Sequence, residues 1–252
     1  MSLIFNENWE FNVFGVYNYK KDGHLSCYYK FIKENHDLID GDILESGVFR
    51  GNSTLATAML LKELGSDKLV YGFDSFSGFP PIYSDNDKID AFSEMFDRGA
   101  ITEKHWIDIN KNTELLGFLS SHGERNGHLS ASGDFSDTSY SLLEEKIKYL
   151  GLDNIRLIRG GFDSTMVQSR RDPGHIMAVL MDCDLYESYM QTFHFVWPRM
   201  EGGGFIYLDE YYSLKFPGAK LASDKFLANK RCSIQMAERY KGEFERWFVI
   251  KD

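Results

Sequence analysis

Four carboxylates stand where two apolar runs of this sequence stop. Met181-Asp182-Cys183-Asp184 closes one run, and Leu208-Asp209-Glu210 closes the other. If the two ends meet, Asp182, Asp209 and Glu210 converge with no Lys or Arg among them, and like charges so placed repel one another unless a cation intervenes. Hard oxygen ligands select Mg²⁺, Ca²⁺ or Mn²⁺, so the trio is expected to hold a divalent metal. The alternative is that these acids are solvated or cap helices. Asp184 is placed to cap a helix starting near Leu185 and is equally open to a role as base. Cys183 lies between two acids, where a thiolate is disfavoured, and reads as core filler. The histidines, at positions 24, 36, 105, 122, 128, 175 and 194, form no close ligand pair such as His-x-x-x-His, which argues against a zinc enzyme.

Two further runs end in residues suited to a nucleoside. Glu45-Ser46-Gly47-Val48-Phe49-Arg50-Gly51-Asn52-Ser53 supplies two glycines for a tight turn and close backbone approach. Ser53 is expected to cap the next helix, whose N-terminus would suit a carboxylate-bearing ligand. The second run ends at Asp74, followed by Ser75-Phe76-Ser77-Gly78-Phe79-Pro80-Pro81, and an acid there can accept hydrogen bonds from ribose hydroxyls. Glu45, Gly47, Gly51 and Asp74 thus have the order and spacing of a nucleoside-binding pair of strand ends. The three-glycine dinucleotide fingerprint and a Gly-Lys-Ser/Thr motif are both missing, which lowers NAD and ATP as ligands.

The elements that must position these groups follow from the hydrophobic pattern. Five short apolar runs, 42–48, 68–73, 154–158, 176–181 and 204–208, read as buried parallel strands. Helices are expected between them, over 53–64 with Gly65 as stop, and over 137–150 with Asp137, Thr138 and Ser139 as capping candidates and Gly151 as stop. The alternation predicts an α/β fold, a doubly wound and mostly parallel sheet with right-handed crossovers and helices on both faces. A chain of 252 residues, 43% of them hydrophobic, can bury one core, so residues 1–252 are expected to form a single domain. The stretch from Pro80 to Ser132 breaks the pattern, being rich in Asp, Asn, Ser, Gly and His with scattered aromatics such as Phe92, Phe96 and Trp106. It is long for an ordinary connection, and residues 82–132 read as a lid or insertion over the site, with a surface excursion as the alternative.

Bulk properties narrow the partners. With 28 Lys+Arg against 38 Asp+Glu, the net charge of -10 would repel a phosphate backbone, so nucleic acid is disfavoured. Three scattered cysteines, Cys27, Cys183 and Cys232, show no disulfide framework and fit a reducing compartment. With no leader pattern at the N-terminus and no run of 18 apolar residues, a soluble cytoplasmic protein without a membrane partner is expected.

Taken together, the motifs at 45–51, 73–80 (Phe-Asp-Ser-Phe-Ser-Gly-Phe-Pro), 182–188 (Asp-Cys-Asp-Leu-Tyr-Glu-Ser) and Asp209-Glu210-Tyr211 with Phe216-Pro217-Gly218 resemble the macrocin O-methyltransferase family over about residues 40–230. The resemblance implies a Rossmann-like class I fold that binds S-adenosylmethionine and, with Mg²⁺ (or Mn²⁺), methylates sugar hydroxyls of glycosylated metabolites such as macrolides and aminocoumarins. It implies that Glu45 and Gly47 lie against the cofactor, with Phe49, Arg50 and Ser75 in the same motifs, Ser53 near its carboxylate and Asp74 on its ribose. Gly161 and Phe162 would border the adenine. Asp182, also at the cofactor, would hold the metal with Asp209 and Glu210, and Asp184 matches the position of the general base. Cys183 departs from the family's usual glycine, and Glu210 from a common aspartate. The expected partner is a small-molecule hydroxyl acceptor, a sugar; the oligomeric state stays open, a homodimer included. Two rivals remain, an NAD- or nucleotide-sugar-dependent oxidoreductase on a similar sheet and a non-catalytic cofactor-binding protein.

Overall fold

Apolar runs without polar alternation need cover on both faces, and the chain provides it. In the computed structural model, which describes residues 4–80, 84–121, 135–240, 242 and 244–252, five strands run parallel, and the one expected to be buried over 154–158 lies at the sheet edge with little of it covered. The five are β1 (Asp42–Ser46), β2 (Val70–Asp74), β3 (Ile155–Arg159), β4 (Ile176–Met181) and β5 (Met200–Leu208). Two strands absent from the sequence expectation, β6 (Cys232–Met236) and β7 (Trp247–Lys251), add an antiparallel hairpin beside β5, giving the order β3-β2-β1-β4-β5-β7-β6. Chain order reverses between β1 and β4, and the crevice beyond the carboxyl ends of these two strands is where such sheets bind ligands.

Each face is packed by its own helices. On one side α1 (Asn8–Phe14), α2 (Ser26–Asn35), α3 (Asn52–Glu63) and α6 (Tyr140–Leu150) bury Phe11, Ile32, Leu55 and Leu143 against Ala178 and Phe205. On the other, α4 (Asp90–Asp97), α5 (Glu103–Ser121), α8 (Tyr186–Val196) and α9 (Pro217–Leu227) bury Met95, Ile109, Phe193 and Ala222 against Val179 and Ile206. A single turn, α7 (Phe162–Thr165), follows β3. α6 begins and ends as expected, with Ser139 Oγ accepting from the Leu142 N–H at 3.3 Å and Gly151 in the left-handed region. α3 does not. Its N-cap is Gly51, at φ +80°, and Ser53 lies inside the first turn, where its hydroxyl turns back to Glu45.

The expected lid is more ordered than its composition suggests. Residues 84–121 form a 3₁₀ turn (Asp85–Asp87) and the helices α4 and α5, and the segment buries Phe92, Met95, Ile101 and Ile109 in one core cluster with residues of α8 and α9. Phe96 stacks on Trp106, and His105 on Tyr212. Residues 82, 83 and 122–132 of the expected lid lie outside the described residues. Among the described residues no helix is long and apolar enough to cross a membrane.

Candidate active site

β1 hydrogen-bonds directly to β4, so whatever follows β1 must pass the end of β4 closely. Gly47, at φ +91°, does this, and a Cβ there would overlap the carbonyl oxygen of Asp182. That approach opens a cavity of about 790 Å³ along the strand ends. Gly47, Phe49, Asp74 and Ser75 line one part, Gly160, Gly161 and Phe162 a second, and Asp182, Asp184 and Glu210 a third.

The carboxylates at the β1 and β2 ends are occupied by the chain itself. Glu45 is fully buried, and its two oxygens accept from the hydroxyls of Ser53 (2.5 Å) and Thr54 (2.7 Å). Burial, resisted by those hydrogen bonds, pushes its carboxyl up to about 7. Asp74 Oδ2 accepts from the N–H groups of Val48 and Phe49, both at 2.8 Å, and Oδ1 from the N–H of Phe76 at 2.6 Å. Asp74 thus clamps the β1–α3 turn while presenting its edge to the cavity.

The β4 and β5 ends are different. Oxygens of Asp182, Asp184 and Glu210 lie within 4.8 Å of one another, with Asp184 and Glu210 8% and 9% exposed. Burial, then the charges of neighbouring carboxylates, raise Asp182 and Glu210 well above the usual range, and burial with Asp209 raises Asp184 to about 7 despite Lys215. Such a cluster takes up either protons or a cation, and three hard oxygen donors fit a divalent metal. Asp209, expected with Asp182 and Glu210, borders this cluster and its charge acts on all three acids, while its own Oδ1 accepts from Arg246 Nε at 2.9 Å in a buried ion pair. Asp184 completes the cluster. Nor does Asp184 cap α8, whose N-cap is Leu185.

Comparison with known proteins agrees with this frame. The family model of the macrocin O-methyltransferases (TylF) matches residues 26–120 and 120–238. The chain belongs to that family. The mycinamicin III 3''-O-methyltransferase of Micromonospora griseorubida is 30% identical over 177 residues, 69% of this chain and 57% of that protein. The demethyldecarbamoylnovobiocin O-methyltransferase of Streptomyces niveus is 26% identical over 192 residues, 75% of this chain and 59% of that protein. The chain therefore spans less than two thirds of the length of these relatives. Two solved structures share the fold: a calicheamicin methyltransferase (TM-score 0.63, 18% identity, 90% of this chain and 76% of that one) and the O-methyltransferase NovP (TM-score 0.59, 19% identity, 88% and 75%). They are class I Rossmann-like methyltransferases, and this chain has their architecture.

Not every residue that the family motifs single out reaches the cavity. Gly47, Phe49, Asp74, Ser75, Gly161, Phe162, Asp182, Asp184 and Glu210 line it, whereas Glu45, Arg50, Ser53 and Asp209 do not. Arg50 is spent on an exposed ion pair with Asp137 and lies over the Phe49 ring. Three residues escaped the sequence reading. Arg246, on the β6–β7 hairpin, neutralises Asp209. Tyr17, whose N–H donates to Asn52 O at 3.0 Å, ties the N-terminal segment to the start of α3. Asp87 Oδ1 accepts from the first N–H of α8. A Tyr-rich N-terminus, a lone Arg and an Asp-Asn-Asp turn carry no local signal for these roles.

Proposed function

We propose that the protein transfers the methyl group of S-adenosylmethionine to a hydroxyl of a small molecule, a sugar on a glycosylated metabolite, with a divalent cation held at Asp182 and Glu210. The observation that carries this reading is the continuity of one cavity from Gly47, Asp74 and Gly161 to Asp182, Asp184 and Glu210. A nucleoside at the first end would place its sulfonium toward the second, as the family's substrates require. Gly47 lets the backbone approach the ligand, Asp74 offers its remaining lone pairs to ribose hydroxyls, and Gly161 with Phe162 borders the base. Glu45 and Ser53 fix the β1–α3 turn, and Arg50 ties it to Asp137 ahead of α6.

A cation bound to Asp182 and Glu210, with Mg²⁺ or Mn²⁺ suited to that donor set, would align vicinal hydroxyls and lower their pKa. Asp209 stays with Arg246 and adds its field to the cluster. In the reaction the acceptor oxygen forms a bond to the methyl carbon as the carbon–sulfur bond breaks, and S-adenosylhomocysteine leaves as a neutral thioether. The hydroxyl proton goes to a free oxygen of Asp184, whose carboxylate stands in the same cluster as Asp182 and Glu210 and lines the cavity. The relatives' printed names, an O-methyltransferase of a rhamnosyl-tetracenomycin and one of mycinamicin III, support the acceptor class. The test is calorimetric. S-adenosylmethionine and S-adenosylhomocysteine should bind the purified protein while NAD does not; binding of NAD alone would favour an oxidoreductase, and binding of neither would end the reading.

A further inference from the structure

Helix α8 starts two residues after Asp184, and its first turn has no cap from its own flank. Leu185, at the N-cap position, makes no side-chain cap hydrogen bond. The first N–H groups of a helix have no intrahelical partner, so one must come from elsewhere. Here the Tyr186 N–H donates to Oδ1 of Asp87 at 2.7 Å, from a residue 99 positions earlier in the chain. Asp87 ends the 3₁₀ turn that opens the 84–121 segment and is 5% exposed. The seat is tight, because a Cβ on Gly218, in the first turn of α9, would overlap that same oxygen and crowd the Tyr186 nitrogen. Three elements distant in sequence therefore meet at one carboxylate. Its other oxygen is buried without a partner. Stranding half of a carboxylate in this way is costly, and a Ser or Asn beside the helix would satisfy the same N–H more cheaply.

What the cap braces is a strained turn. Asp184 has φ +58°, in the left-handed region that a non-glycine residue adopts at a cost, and such a conformation persists where its surroundings over-determine it. The Leu185 N–H closes back on Cys183 O at 2.6 Å, and the next N–H is the one that Asp87 holds. Release of Asp87 would free the start of α8 and let Asp184 relax away from Asp182 and Glu210.

We propose that Asp87 is a positioning residue, which through the first N–H of α8 fixes the Asp182–Asp184 turn in the geometry that brings Asp184 into the carboxylate cluster. The proposal rests on the reading of Asp184 as proton acceptor. It also gives the 84–121 segment a part in the chemistry although none of its residues lines the cavity.

The test compares Asp87→Ala with Asp87→Asn, which keeps Oδ1 as an acceptor. Asp87→Ala should speed amide exchange over residues 184–187 and lower kcat by about 10- to 100-fold, the cost of a small misplacement, with KM for S-adenosylmethionine nearly unchanged. Asp87→Asn should recover most of both. Unchanged exchange in Asp87→Ala overturns the proposal whatever the reaction is. Unchanged kcat in Asp87→Ala beside lost turnover in Asp184→Asn overturns it while leaving the methyl-transfer reading standing. If Asp87→Ala does not fold, Asp87→Glu, which shifts the carboxylate by one methylene, replaces it, and equal exchange and kcat in the Asn and Glu variants overturn the proposal.

Discussion

The two ends of the cavity treat their carboxylates in opposite ways. At the β1 and β2 ends, Glu45 and Asp74 receive hydroxyl and backbone donors supplied by the chain. At the β4 and β5 ends Glu210 has a hydrogen bond with Ser213, but among the described residues no ion pair reaches Asp182, Asp184 or Glu210, and Arg246 is taken by Asp209. A buried acid that folds with its own donors is architecture. One folded beside other acids carries an unmet demand for a proton or a cation, and that demand is available to a reaction.

Substitutions can break this contrast. The largest effect is expected at Asp184: Asp184→Asn keeps the shape and removes basicity, so kcat should fall by about 10²–10⁴-fold with S-adenosylmethionine affinity retained, read by steady-state kinetics beside calorimetry. Next comes a pair with opposite signs. Asp74→Asn turns an amide toward N–H donors and should cost about 1–3 kcal/mol, lowering Tm. Asp182→Asn, measured in chelator, removes one of several buried neighbouring acids and should raise Tm by about 2–4 °C. A fall in both would mean that the β4 and β5 acids are as well satisfied as Asp74, and the contrast would be lost.

The pH dependence of stability is a finer test. Burial raises Glu45 and Asp184 to about 7 in the fold. A carboxyl raised above its unfolded value stabilises fully below about pH 4 and loses that contribution as pH rises through about 7, so in chelator Tm should fall by about 2–5 °C between pH 6.5 and 7.5. Mg²⁺ should flatten this limb. His105 has the opposite sign, since burial lowers it to about 4 where its Nε2 meets Ser213 O at 3.1 Å. Its contribution is complete above about pH 6.5 and is lost as pH falls through about 4, with or without Mg²⁺. A metal-sensitive acid limb would contradict the assignment of these slopes.

How much of this is written in the sequence differs by region. The central strands are legible because buried parallel strands are unbroken apolar runs, and an acid or glycine that ends one stands out. The hairpin is not: Cys-Ser-Ile-Gln-Met is a largely exposed strand, and its partner is five residues near the end of the chain. The helices of the 84–121 segment hide in a polar composition, although Phe92, Met95 and Phe96 in α4 have helical spacing. Asp209 and Glu210 look equivalent as neighbours. Adjacent residues leaving a strand point apart, so one reaches the cluster and the other reaches Arg246. Asp87 and Arg246 act across long separations, which no local pattern records.

The acids at the β4 and β5 ends, unlike those at the β1 and β2 ends, are left for a cation, and titration of Mn²⁺ into the purified protein, followed by calorimetry and by the paramagnetic signal of free Mn²⁺, measures whether one binds there. One bound cation per chain is expected, lost in Asp182→Asn and in Glu210→Gln and retained in Asp74→Asn. Absence of binding, or binding indifferent to Asp182 and Glu210, would contradict it.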